Sequence, residues 1–380
     1  MNAKSTRWAT VAFLISLAGF TSGVAEEPFD PEDPAEVIEV AIALDTSGSM
    51  KSLIDAARLT LWDVVNELAL LDPAPQLRVA LLSYGSGKNP RDSGWVRVEV
   101  PLTTDLDLVS QRMFQLEPGG GKEYVGRVLQ AAVEQLAWTD SPDTIKMVFI
   151  AGNESADQDP ESDLHSLAID AMGKDLQVHA VFCGQPANPD AESWKELAEM
   201  ASGQFAAIDH RAAALLAETP FDKEMAELGA ALNQTYVPLG EAGQGRLDVQ
   251  AAQDKNAQSL SAATAATRAQ TKAGPLYSQQ WDLVDALESG RIDLYEIDDA
   301  ELPEALREMT DAELEFHIQQ QSEKRLEIRE QILRLSAQRR DHVAKQAAKK
   351  KLDGSSTFDG VVRGAIRKQV EEKGFRSEAP

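Results

Sequence analysis

The segment Asp45-Thr46-Ser47-Gly48-Ser49 constrains this chain more than any other. It follows an apolar run at residues 37–44. It precedes a stretch in which Met50, Leu53, Ile54, Ala57, Leu61, Val64, Val65 and Leu68 recur at spacings of three and four. The apolar run reads as a buried strand and the later period as an amphipathic helix, so the polar turn joins the two. Open α/β sheets place their binding sites there, at the carboxyl end of a strand and the amino end of a helix. One carboxylate and two hydroxyls at alternate positions, Asp45, Ser47 and Ser49, can converge on a hard cation that prefers oxygen, Mg2+ or another divalent ion. An aspartic-protease turn also reads Asp-Thr-Ser-Gly, but it needs two carboxylates sharing a proton on an all-β frame. Here the turn runs into a helix, and no second such turn occurs.

Beyond the turn, strand-like and helix-like segments alternate to about residue 213. Buried strands are expected at residues 76–83, 145–151 and 178–183, and a short one at 205–208. Residues 95–100 alternate strictly, with Val96, Val98 and Val100 on one face and Arg97 and Glu99 on the other, which suits an antiparallel edge strand. Helices are expected at 105–116, 124–138, 162–174 and 190–201. The pattern predicts a doubly wound, mostly parallel six-stranded sheet over residues 34–215.

The Asp-x-Ser-x-Ser turn in this setting resembles the metal-ion-dependent adhesion site of von Willebrand factor A domains, and the order of six strands resembles theirs. The resemblance covers about residues 36–210 and implies that Rossmann-like fold. It also implies two further site elements: a Thr that coordinates the ion, on a loop after the edge-strand hairpin, and an Asp that supports it through water, at the end of the fourth strand. Both are altered here. The loop reads Gly119-Gly120-Gly121-Lys122-Glu123-Tyr124, with Lys122 or Glu123 where Thr is expected. The strand ends Phe149-Ile150-Ala151-Gly152-Asn153-Glu154, with Gly152 in place of Asp. Gly-Gly-x-Glu-Tyr-x-Gly-x-Val followed by Phe-Ile-Ala-Gly-Asn-Glu resembles a branch of exported bacterial A-domain proteins.

Two arrangements of the altered site are open. In one, Glu123 replaces the Thr and Asn153 or Glu154 replaces the Asp, so that a divalent cation is held with a second carboxylate. That carboxylate would tighten binding and weaken the ion's pull on an external one. In the other, the Lys122 ammonium turns inward and neutralises Asp45. Glu123 also suits the amino end of the helix that follows, whatever its role toward an ion.

The rest of the chain bounds the function class. The net charge of −25 argues against nucleic acid or an anionic membrane as the main partner. Cys183 is the single cysteine, which rules out an intramolecular disulfide and reads as a small buried residue. The five histidines are scattered and form no zinc pattern. Neither Gly85-Ser86-Gly87-Lys88-Asn89 nor Gly120-Gly121-Lys122-Glu123 has phosphate-loop spacing, and no nucleophile elbow or metalloprotease helix is present, so a non-enzymatic role is expected. Residues 1–25 carry Lys4 and Arg7, a short apolar stretch and small residues before Glu26, the form of a cleaved export signal. That stretch falls short of the roughly 20 residues a membrane span needs, so no stable span is expected after cleavage. A periplasmic or extracellular location follows.

Past the sheet, residues 221–236 look helical and suit a closing helix for the domain. Residues 216–275 are read as that helix plus an Ala/Gln-rich linker, although a weakly packed helix has the same composition. Residues 276–380 are read as a helical region with a long basic helix at about 304–351; Pro303 suits the first turn of a helix, and Thr310-Asp311-Ala312-Glu313 has the capping-box form from which the long helix runs. Within residues 322–351 there are ten Lys or Arg against four Asp or Glu. Leu314, Ile318, Ile328, Ile332 and Leu335 partly match a heptad seam, which Gln321 and Arg325 interrupt. The chain is thus expected to be an exported protein-binding or scaffolding module. A structural envelope protein that self-associates through the long helix is the alternative, and an enzyme of unknown class a second.

Overall fold

The computed structural model describes residues 37–72, 74–208, 218–350, 358–372 and 376–377. The expected export signal lies outside them. Strand β1 (Val37–Asp45) is buried along all nine residues, because it is the centre of the sheet. Helix α1 (Lys51–Leu68) follows, then the two-residue β2 (Leu71–Asp72), β3 (Gln76–Tyr84), β4 (Val96–Thr103), α2 (Leu106–Gln115) and α3 (Val125–Gln135). Next come β5 (Ile145–Gly152), α4 (Leu164–Met172), β6 (Leu176–Phe182), α5 (Ala191–Met200) and β7 (Phe205–Ala207). The sheet has six strands in the order β4-β3-β1-β5-β6-β7. All neighbours are parallel except the β3–β4 hairpin, as the strict alternation of residues 95–100 predicts.

Side chains of a strand alternate between faces, and the two faces of β1 differ in size. Ile38, Val40, Ile42 and Leu44 enter the core beneath α1 and α2, while Ala41 and Ala43 enter the core beneath α3, α4 and α5. Glu39 is fully buried on this central strand. It pairs with Arg78 and accepts hydrogen bonds from the Thr139 N–H (3.0 Å) and hydroxyl (2.7 Å), so the charge is compensated.

After the sheet the chain is helical: α6 (Asp222–Leu232), α7 (Gly240–Leu260), α8 (Ala262–Ala273), α9 (Leu283–Glu288), α10 (Asp311–Lys350) and α11 (Phe358–Glu372). Three expectations are corrected here. The segment read as an Ala/Gln-rich linker forms α7 and α8. Its small side chains let helices approach closely, and its specificity comes from buried charge rather than large apolar residues. Arg268 pairs with Asp107 of α2 and Asp254 of α7, each at 2.7 Å, and lies 4.4 Å over the Trp62 ring of α1. Lys272 donates to Asp254, Asn233 and the Gly229 carbonyl at 2.6–2.7 Å.

The expected closing helix, α6, packs on α8 and α10 instead. The seat over the sheet beside α1 is taken by α11, which buries Val361, Val362, Ala365, Ile366 and Val370 in the core that also holds β1 and β5 side chains. Just beyond it, β8 (Arg376–Ser377) pairs antiparallel with β2. The long helix starts at Asp311, where its capping box places it within the broader 304–351 range: Glu313 accepts from the Thr310 N–H (2.9 Å) and hydroxyl (2.8 Å).

The heptad seam is spent within the chain. Ile328, Ile332 and Leu335 pack with α6 and α8 residues, and Leu314 and Ile318 with Val237, Leu283 and Val284. Arg325, which interrupts the seam, is buried and pairs with Asp282 and Asp285 at 2.6 Å. A two-chain coiled coil along this seam would have to strip it from these partners. Among the described residues no helix is long and apolar enough to cross a membrane.

Candidate functional site

Four segments meet at the carboxyl edge of the sheet, and backbone bonds lock them before any side chain acts. β1 pairs with β3 so that Asp45 lies beside Tyr84. Thr46 then turns back onto β3, donating both its N–H and its hydroxyl to the Tyr84 carbonyl at 2.8 Å. The Gly119 N–H donates to the Thr46 carbonyl (2.9 Å), and Ser47 and Gly119 form a parallel bridge. The loop before α3 is thereby fixed against the Asp45–Ser49 turn.

Asp45 is fully buried. One carboxylate oxygen, Oδ1, accepts from the Ser47 N–H at 2.7 Å. The other, Oδ2, is buried with no hydrogen-bond partner. Burial pushes the pKa up to about 7; the Ser47 N–H and hydroxyl act in the opposite direction, and the charges of Glu123 and Glu154 add to the rise. The Ser47 and Ser49 hydroxyls lie 3.3 Å apart, Ser47 buried and Ser49 exposed.

Gly85 shows how close Glu123 comes. Its φ of +78° is a left-handed conformation that favours glycine, and a Cβ there would sit 2.7 Å from Asp45 Oδ1 and 3.1 Å from Glu123 Cγ. Asp45 and Glu123 thus flank one small space. Glu123 is half-buried, and its pKa is raised, first by burial and then by Glu154, with Lys122 opposing. Its backbone carbonyl is held by the Gln158 amide at 2.9 Å. Lys122 is exposed and turned to solvent rather than into Asp45.

Gly152 explains the missing aspartate. A Cβ at this position would lie 2.2 Å from the Tyr84 hydroxyl and 3.2 Å from the Trp194 ring. The Tyr84 hydroxyl itself donates to the Ala151 carbonyl at 3.0 Å. These two rings fill the place from which an Asp would reach the site, so any replacement must come from the next residues. Asn153 is half-buried there with Oδ1 unpartnered, and Glu154 is near enough for its charge to act on Asp45 and Glu123. Tyr84 and Trp194 were not legible as site residues. The one signal was a tyrosine ending a strand directly before a glycine.

The structure therefore brings Asp45, Ser47, Ser49 and Glu123 together and sets Asn153 at the same edge. Among the described residues no three His, Cys, Asp or Glu side chains gather into a metal group of their own. A cation here would depend on the serine hydroxyls as well as on carboxylates. The donors are all oxygen, and the orphaned Asp45 Oδ2 is what such an ion would satisfy, so the residues fit Mg2+ or another hard divalent ion.

A doubly wound sheet with a carboxylate-and-hydroxyl turn at its carboxyl edge defines a class of α/β binding domains. Residues 39–218 match the family model of the von Willebrand factor type A domain, and the chain carries a domain of that family. Among solved structures it is similar to a von Willebrand factor type A protein from Catenulispora acidiphila. The two are 19% identical over 47% of this chain and 40% of the other, with a TM-score of 0.37. It is similar also to proximal thread matrix protein 1 of the mussel byssus (11% identity, 46% of this chain, 42% of the other, TM-score 0.34). The SpRpn10 VWA domain is a third (15% identity, 45% of this chain, 87% of the other, TM-score 0.35). The chain thus spans about two fifths of the first two structures. Among curated proteins no sequence matches it.

Proposed function

We propose that this protein is an exported, non-enzymatic module that binds a protein partner at the carboxyl edge of its sheet, with a divalent cation held by Asp45, Ser47, Ser49 and Glu123. A domain of this family is generally a protein-interaction module. The observation that carries the cation is Asp45 Oδ2, a buried carboxylate oxygen with nothing bonded to it. Leaving such a group unsatisfied is costly, and a cation beside two hydroxyls would remove that cost. Binding rather than chemistry is supported by the one thiol nearby. Cys183 is buried, and burial followed by the Asp45 charge pushes its pKa up, away from the reactive thiolate. Export rests on the form of residues 1–25. The net charge of −25 argues against nucleic acid, and the partner surface is the exposed rim around Gly48, Ser49 and Lys122.

Affinity capture from a cell-envelope extract tests this reading. Wild-type protein should retain a discrete partner in Mg2+, lose it in chelator, and fail to retain it as Ser47→Ala. Capture indifferent to both the chelator and the substitution would refute it.

A further inference from the structure

We infer that Glu123 closes this cation site as a carboxylate supplied by the chain itself, so that the partner does not reach the ion through an acidic side chain of its own. The inference rests on the cation reading above and specifies how the site is regulated.

Three observations carry it. First, the space bounded by Asp45 and Glu123 is small: one methyl group at Gly85 would touch both side chains. A cation there would have a carboxylate on two sides. Two carboxylates neutralise a divalent ion, leaving little net charge with which to attract a third from outside. Second, the usual supporting carboxylate cannot start at Gly152, and the nearby Glu154 is exposed. At Gly152 the Tyr84 hydroxyl and the Trp194 ring occupy the place where a side chain would begin. Third, the main chain at Glu123 is held by neutral hydrogen-bond donors. Gln158 grips its carbonyl at 2.9 Å, the Gly119 N–H ties the start of the loop to Thr46 at 2.9 Å, and Lys122 is turned to solvent.

An ion shared between Asp45 and Glu123 joins β1 to the loop that leads into α3. It would act as an internal clamp that shapes the rim a partner meets. Cation binding should therefore stabilise the protein without any partner present. Restoring a hydroxyl at position 123 should open the site to an outside carboxylate.

Titration calorimetry with Mn2+ on the full chain, alongside thermal melts, tests this with three variants. Wild type should bind one Mn2+ per chain and melt at a higher temperature when loaded. Glu123→Gln should bind at least about tenfold more weakly, while its metal-free melting temperature stays close to that of wild type. Glu117→Gln removes an equal charge from an exposed position that pairs with Lys88, and it should bind as wild type does. Glu123→Thr should also hold the ion more weakly, and when loaded it should bind glutarate, used as a free carboxylate probe, which loaded wild type should not. Undiminished Mn2+ affinity in Glu123→Gln, or glutarate binding by loaded wild type, would overturn the inference and leave the cation reading standing. A wild type that takes up no Mn2+ would overturn both.

Discussion

Asp45, at the carboxyl end of β1, and His179, on β6, are both buried, and their ionisation pulls stability in opposite directions. For Asp45 the folded value of about 7 lies above the ordinary 3.8, because burial penalises the carboxylate. The stability it contributes is complete below about 3.8 and is lost as pH rises through about 7. His179 stacks on Phe149, with centroids 4.7 Å apart, and its Nδ1 accepts from the Gln204 N–H at 3.2 Å. Burial, and then the Lys368 charge, lowers it from 6.5 to about 4. Its contribution is complete above about 6.5 and is lost as pH falls through about 4. In metal-free buffer the two slopes therefore oppose each other between pH 4 and 6.5. Asp45→Asn should leave the histidine slope exposed, with melting temperature rising with pH by the equivalent of a few kcal/mol. His179→Gln should show the reverse. Circular dichroism melts across that range check both, and three parallel profiles would contradict the assignment. The sequence marked Asp45 by its place in a motif, whereas His179 carried no such mark and acquires its role from Phe149 and Gln204.

At the scale of elements, α11 is the part least expected from its position. It lies about 150 residues after β7, yet its apolar face completes the core over β5 and β6 beside α1. Ile366 is almost fully buried there. Ile366→Ala should lower stability by about 2–5 kcal/mol, because the lost apolar contact leaves a cavity that rigid neighbours fill only in part. Denaturant unfolding with an unchanged slope would confirm this. An effect below about 0.5 kcal/mol, the range of ordinary surface substitutions, would show that α11 is not seated on the sheet. The same logic explains α10. Its spacing announces an apolar seam, but spacing says nothing of what covers a seam. Arg325 decides it, because a guanidinium in the seam needs paired carboxylates, and Asp282 and Asp285 of this chain's own α9 region provide them.

The whole molecule behaves as a sheet domain braced by its own tail. The outer side of α1 meets α8 through the Asn66 amide, which donates to the Thr267 carbonyl at 2.8 Å, and through Arg268 over Trp62. Limited proteolysis should therefore release no stable fragment ending near residue 208, since cutting there would strip α8 and α11 from the sheet. Accumulation of such a fragment, read by mass spectrometry, would show that the sheet domain stands alone. Periodicity in the sequence determined which segments became strands and helices, their order, and the polar turn at Asp45, because those depend on neighbours a few residues apart. Tertiary structure decided that Ala-rich helices are braces, that the last helix closes the core, and that Gly152 is ceded to Tyr84 and Trp194. It also decided that Glu123 faces Asp45. Each of these depends on packing between residues dozens to hundreds of positions apart, and no local pattern encodes which distant surfaces will meet.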